Sequence, residues 1–176
     1  MQVATGKSIL GGIAIGPLRI YKKTEAQTNQ TSNLTSAEEW ERFQSACDKA
    51  KEQLAGLYDK ALNEVGKDNA AIFEIHQMML EDEDYLDAAK GIIETQGATA
   101  EYAATTTGEN YAAAFAAMDD TYMQARATDV KDISRRVVNI LTGQDDTAAL
   151  DDQPAILVAD DLTPSELWNF ASCNTS

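Results

Sequence analysis

Few side chains in this sequence have the types and spacing that chemistry needs. The only histidine is His76, and the two cysteines are Cys47 and Cys173. A Cys–His nucleophile pair would set a thiolate beside an imidazole base. Cys47, however, falls on the apolar seam of a long helix, where a cysteine behaves as a small buried hydrophobe. The cysteine spacing fits neither a disulfide framework nor a zinc site. No glycine-rich phosphate loop and no metal-ligand cluster occurs. The chemistry that remains is recognition, and it concentrates in residues 71–89. Ile72, Ile75, His76 and Met79 recur at three- and four-residue steps on one helix face. Phe73 and Leu80 lie on another flank, so the apolar surface is wider than one core stripe. Four acids follow in a row, Glu81 to Asp84, with Asp87 close behind. A helix of this kind is suited to two contacts: its own core, and a partner that is basic and partly apolar. His76 reads as a surface or semi-buried histidine that touches a partner, not as a catalyst.

The elements that must position this stretch follow from periodicity. Residues 9–21 read as extended, with Ile13 and Ile15 alternating with small residues, a break at Gly16-Pro17, and Leu18 and Ile20 resuming the alternation. Residues 22–33 are polar and aperiodic, a connection. Thr35 with Glu38, or Ser36 with Glu39, has capping-box spacing. Trp40, Phe43, Cys47, Ala50, Leu54, Leu57 and Ala61 then form a heptad-like seam, and Gly66 suits a C-terminal cap. A helix over 37–65 would be about 43 Å long. Asp68 is placed to cap a second helix that kinks or restarts at the acid run and ends at Gly97. Thr99 is placed to cap an Ala-rich third helix over 100–118. A fourth runs from about Asp120 to Leu141, lined by Met123, Val130, Ile133, Val137 and Ile140. Ala155 to Ala159 reads as a short buried strand, and residues 160–165 as a turn. The expected fold is mainly α. An antiparallel four-helix domain over 33–144 is inserted into an incomplete α/β domain formed by residues 1–32 and 145–176.

Composition limits the partners. The chain has 176 residues, 44% of them hydrophobic, and a formal charge of −15 from 29 acids and 14 bases. That size allows one substantial core. A negative field of this strength disfavours nucleic acid and anionic membranes and favours fast association with a basic protein. No run is long enough to cross a bilayer, and the first residues lack the pattern of a signal peptide. A reducing cytoplasm is the expected location.

Four segments carry a resemblance: residues 9–16, 71–84, 118–136 and 156–166, in that order along the chain. Ala71-Ile-Phe-Glu-Ile-His-Gln-Met-Met-Leu-Glu-Asp-Glu-Asp84 closely resembles the N-terminal domain of Enzyme I, the phosphoenolpyruvate–protein phosphotransferase of the bacterial sugar phosphotransferase system. The resemblance implies a helical domain that docks the phosphocarrier protein HPr. Carried over by position, the docking surface falls on Asp68, Ala71, Ile72, Glu74, Ile75, His76, Met78, Met79, Glu83, Asp84, Tyr85, Phe115 and Arg126. The family often has an acidic pair where Lys67-Asp68 stands here. It also implies that Mg2+ and phosphoenolpyruvate bind, and subunits dimerise through, a C-terminal domain absent from this sequence. The family's phosphorylated histidine lies in a Thr-Ser-His-Thr-like motif beyond the strand and turn matched by 156–166, and the sequence ends at Ser176 without it. A threonine usual in the family is replaced by Leu167, and residues 168–176 do not read as the expected helix and strand. The expectation is therefore a docking portion that is inactive alone. The alternatives are a component of a split or variant enzyme, nitrogen-regulatory or dihydroxyacetone-kinase-linked, and a non-catalytic helical adaptor.

Overall fold

A computed structural model describes residues 15–22, 28–144, 155–160 and 162–172. The alternation at 9–14, residues 23–27 of the polar connection, the whole stretch 145–154, and Cys173 lie outside the described residues. The element order is β1 (Leu18–Ile20), α1 (Ser36–Val65), α2 (Lys67–Glu81), α3 (Glu83–Gln96), α4 (Ala100–Ala116), α5 (Thr121–Thr142), β2 (Ile156–Val158) and α6 (Pro164–Ser172). The two strands pair in parallel, Leu18 opposite Ile156 and Ile20 opposite Val158. Five helices lie between them in sequence.

Local chemistry explains the helix boundaries. Thr35 caps α1 in a full capping box with Glu38. Glu39, the other acid with box spacing, is instead buried inside the bundle. There it accepts the backbone N–H of Ala100 at 3.0 Å and Arg42 Nη1 at 2.6 Å, so a residue of α1 caps the start of α4. Ser32 also donates its hydroxyl to Glu39. Gly66 ends α1 at φ 87°, where a side chain would be strained. It also opens α2 directly, so Lys67 is the first helical residue and Asp68 lies in the first turn without capping it. The acid run does break the helix. Asp82 is extended, and its side chain accepts the N–H of Tyr85 at 3.1 Å, which starts α3. The expected second helix is thus two helices. Gly97 and Thr99 bound their helices as expected, while Asp120 caps the start of α5 and Gly143 its end. Part of the polar connection is ordered against the α3–α4 turn, with Thr31 bridged to Ala98.

One core joins the helices. Phe43, Cys47, Ala50, Leu54, Leu57 and Ala61 of α1 meet Phe73 and Leu80 of α2, Tyr85, Ala89 and Ile93 of α3, Ala103 and Ala104 of α4, and Ile133 and Val137 of α5. Phe43 and Leu54 are fully buried; cutting either to alanine would cost roughly 2–5 kcal/mol. Helices α4 and α5 cross closely at Gly108. A Cβ on Gly108 would lie 2.4 Å from Ser134 Oγ and 2.5 Å from Ser134 Cβ. Only glycine lets the two helices approach this closely.

The ends of the chain differ from expectation in two ways. The strand at 156–158 is half-buried to exposed, and Leu18, Ile20 and Val158 are 69%, 72% and 45% exposed. Two strands cover too little surface to bury both faces of a parallel sheet. Residues 164–172 form a helix where the tail did not read as one. Its start has its own box: Glu166 Oε2 accepts the Thr163 N–H at 2.8 Å, and Thr163 Oγ1 accepts the Glu166 N–H at 3.3 Å. Glu166 Oε1 also takes Arg135 Nη1 of α5 and the Tyr21 hydroxyl after β1, both at 3.0 Å. One carboxylate therefore ties α6, α5 and the strand pair together.

Candidate docking surface on α2 and α3

Helix α2 has two apolar faces, and the structure separates them. Ala70, Phe73, His76 and Leu80 are buried against the bundle. Ala71, Ile75 and Met78, spaced four and three apart, line the opposite side. Ala71 and Ile75 are half-buried, and Met78 is 65% exposed. Ile72 and Met79 lie on the flank between, partly buried against the core. Methionine adapts its shape to an apolar partner, so this strip suits a contact that forms and breaks.

Acids rim the strip. Asp68 and Glu74 are exposed along α2, and Glu81 to Asp84 are exposed at its end. Not all of these carboxylates are free to steer a partner. Asp82 is committed to the α3 cap, and Glu81 accepts Lys51 Nζ at 3.4 Å. Glu83 and Asp84 occupy the first turn of α3, where the helix dipole favours negative charge. Nearby, burial raises the Tyr111 phenol above its ordinary value, and the charges of Asp84 and Asp82 add to the effect.

Two residues expected on this surface are inside the protein. His76 has no exposure. Its ring meets Phe73 edge-on at 6.3 Å, Nε2 faces Asp129 Oδ1 at 3.4 Å, and Nδ1 faces Asp132 Oδ2 at 3.7 Å. Position 76 lies on the α5 side of α2, so the histidine contacts the core and not a partner. Tyr85 is 2% exposed, because the restart at Asp82 turns it inward. Its hydroxyl lies 2.9 Å from Ser134 Oγ and its ring packs edge-on to Tyr111 at 5.8 Å. Burial drives its phenol pKa well up. Phe115 is half-buried on the core, at the end of α4. Arg126 donates to Asp129 Oδ2 at 2.7 Å and to the Tyr122 hydroxyl, with its guanidinium 4.5 Å from the Tyr122 ring centre. Burial pushes the Asp129 carboxyl up, but the approach of His76 and the bond and charge of Arg126 outweigh this and hold it below the usual range.

The sequence reading passed over Tyr122, Asp129 and Asp132. The signal was present: Asp129 shares a helical row with Arg126 and Ile133, which places a carboxylate at the edge of the apolar face of α5. Among the described residues no group of three or more His, Cys, Asp or Glu side chains is arranged to hold a metal ion. No helix among the described residues is long and apolar enough to cross a membrane.

The described residues thus form a helical bundle set between two paired strands, with a second apolar strip and an acidic rim on one helix. The chain belongs to the family of PEP-utilising enzymes, N-terminal, whose model matches residues 5–126. It is 35% identical over 169 residues to the phosphoenolpyruvate-protein phosphotransferase of Bacillus subtilis (strain 168), covering 94% of this chain and 29% of that relative. The Staphylococcus aureus enzyme of the same name is 29% identical over 167 residues, with 94% and 29% covered. The chain thus spans under a third of the length of these curated relatives. Two solved structures align at a TM-score of 0.70 and 28% identity, a solution structure of Enzyme I and the N-terminal domain of Enzyme 1 - Nitrogen. They cover 88% and 90% of this chain, and 63% and 65% of their own.

Proposed function

We propose that this chain is the N-terminal portion of a cytoplasmic phosphoenolpyruvate–protein phosphotransferase of the Enzyme I type, and that it docks an HPr-like phosphocarrier for phosphoryl transfer in sugar uptake. Residues 33–144 form the docking unit in this reading, and residues 1–32 with 145–176 form the second. The observation that carries it is the outward strip of α2, Ala71, Ile75 and Met78, with Met78 65% exposed beside an acidic rim. A core helix needs one apolar face; a second is explained by a partner. The strip supplies the apolar centre of the contact, with Ile72, Met79 and Phe115 at its flanks. Asp68, Glu74, Glu83 and Asp84 steer a basic carrier. Phosphoenolpyruvate and Mg2+ are assigned to other parts of the full-length enzyme. His76 is not the phosphoacceptor, because a fully buried imidazole offers no face to an incoming phosphoryl group.

Titration of 15N-labelled HPr with this chain tests the reading. Met78→Ala should speed dissociation roughly 5- to 30-fold, as truncation of a central apolar contact does. Glu83→Lys with Asp84→Lys should slow association about tenfold at low salt and flatten its salt dependence. If the folded chain binds no HPr even at low ionic strength, the docking reading fails in favour of a helical adaptor.

A further inference from the structure

The buried histidine is connected to solvent through charged side chains of α5. Asp129 and Asp132 lie one turn apart on α5, and His76 stands between them and α2. Asp129 is shared: Oδ1 faces the imidazole at 3.4 Å, while Oδ2 accepts Arg126 Nη1 at 2.7 Å. Arg126 continues to Tyr122, whose side chain is 62% exposed. A row of side chains, Asp132, His76, Asp129, Arg126 and Tyr122, therefore runs from the core to solvent. Its inner end lies under the flank of α2, where Ile72 and Met79, four residues before His76 and three after it, are partly buried against the core; its outer end is Tyr122.

We infer that His76 is a positioning residue for docking: it fixes the Asp129 carboxylate, which aims the Arg126 guanidinium along the edge of the α2 surface. The consequence for docking rests on the carrier-binding reading; the hold on Arg126 rests on the geometry alone. Imidazole suits the place because its two ring nitrogens point to opposite sides, so one side chain faces both carboxylates. A leucine would fill the space and leave Asp129 held from one side only. An arginine side chain is long and rotamer-rich, and its planar fork is useful only when its direction is set. Asp129 and Tyr122 engage one N–H on each terminal nitrogen. The remaining N–H groups can take an acceptor on the carrier, a backbone carbonyl or a carboxylate. The arginine would then read a specific acceptor within an otherwise basic partner face.

The test uses the full chain with the arginine side chains labelled for 15N–1H spectra, and HPr from Bacillus subtilis as the probe. In the wild type the Arg126 guanidinium signals should be shifted and slow to rotate. His76→Leu should move them toward those of free arginine, and His76→Gln, which keeps one donor, should restore part of the shift. His76→Leu should weaken HPr binding about fivefold, but less than twofold in an Arg126→Ala background, the signature of residues acting through one another. Arg126 signals unchanged by His76→Leu would overturn the inference, as would an equal loss of binding with and without Arg126. If His76→Leu does not fold, His76→Phe replaces it: a flat ring without either nitrogen must loosen Arg126 and weaken binding in the same Arg126-dependent way. If wild-type chain binds no HPr, the docking reading fails, and the arginine spectrum still decides whether His76 holds Arg126.

Discussion

Replacing Gly108 with alanine puts one methyl group at the closest crossing of α4 and α5. In an exposed helix the change would stabilise by about 1 kcal/mol, because alanine is the better helix former. Here the new Cβ would lie 2.5 Å from Ser134 Cβ, an atom fixed to its backbone, and 2.4 Å from Ser134 Oγ. Rotating Ser134 relieves only the second contact. Relieving the first requires the helices to part by roughly 1 Å, at the about 1–3 kcal/mol typical of overpacking. The same shift disturbs the bond between Tyr85 and Ser134, 2.9 Å long and buried, and leaving either hydroxyl unsatisfied adds about 1–3 kcal/mol. The net expectation is a loss of about 2–4 kcal/mol, measured by urea unfolding followed by helical circular dichroism with the m-value unchanged. Gly108→Ala combined with Ser134→Gly removes the clash and should lose no more than Ser134→Gly alone. Unchanged or increased stability of Gly108→Ala would refute the close-crossing argument, since propensity alone would then account for the result.

His76, with no exposure, should take no label from radioactive phosphoenolpyruvate; acid-labile label on that residue in the folded chain would contradict its placement. Glu39→Gln should cost about 2–4 kcal/mol by thermal unfolding, because it weakens a buried carboxylate's hold on Ala100, Arg42 and Ser32 at once. Burial, with a smaller contribution from the Asp48 charge, pushes the Cys47 thiol up to about 12. Iodoacetamide at pH 8.5 should therefore modify Cys47 only as fast as the protein unfolds. The unfolded chain releases that proton near pH 9 and the folded chain does not, so this stabilising contribution is complete below pH 9 and is lost as pH rises toward 12. Cys47→Ala should accordingly show a shallower fall in stability between pH 9 and 11. Glu166→Gln should speed amide exchange at Tyr21 and Ile156 while leaving α1 unchanged, since Glu166 joins α6 and α5 to the residue after β1.

What could be read from the sequence was mostly local. Thr35, Gly97, Thr99, Asp120 and Gly143 act within a turn of themselves, so their residue types suffice to mark boundaries. The run Glu81–Asp84 marked a break because adjacent carboxylates repel, although only the structure shows that Asp82 ends one helix and caps the next. Asp68 misled because Gly66, at φ 87°, joins α1 to α2 with no residue to spare for a cap. Thr163 and Glu166 carried a capping-box signal that the proline between them obscured. The docking strip was legible as apolar residues on more than one face of a helix. Which of them lay inside was not. The burial of His76 is decided by Asp129 and Asp132, more than fifty residues away, and that of Tyr85 by Ser134. No local period encodes such a pairing.

The parallel pairing of β1 with β2 also bears on the order in which the chain is built. Closing a loop from Leu18 to Ile156 in an unstructured chain is an unfavourable search, and a three-residue ladder returns little for it. The start of α1 and the end of α5 lie together, since Leu34, Glu38, Ile140 and Leu141 line one groove. Once the helices have assembled, only the two connections flanking them remain to be closed. The logarithmic law puts the saving at roughly 1.5 kcal/mol, about a tenfold gain in how often the strands meet. The bundle thus acts as a template for the ladder, and strand pairing should trail helix assembly in a refolding experiment.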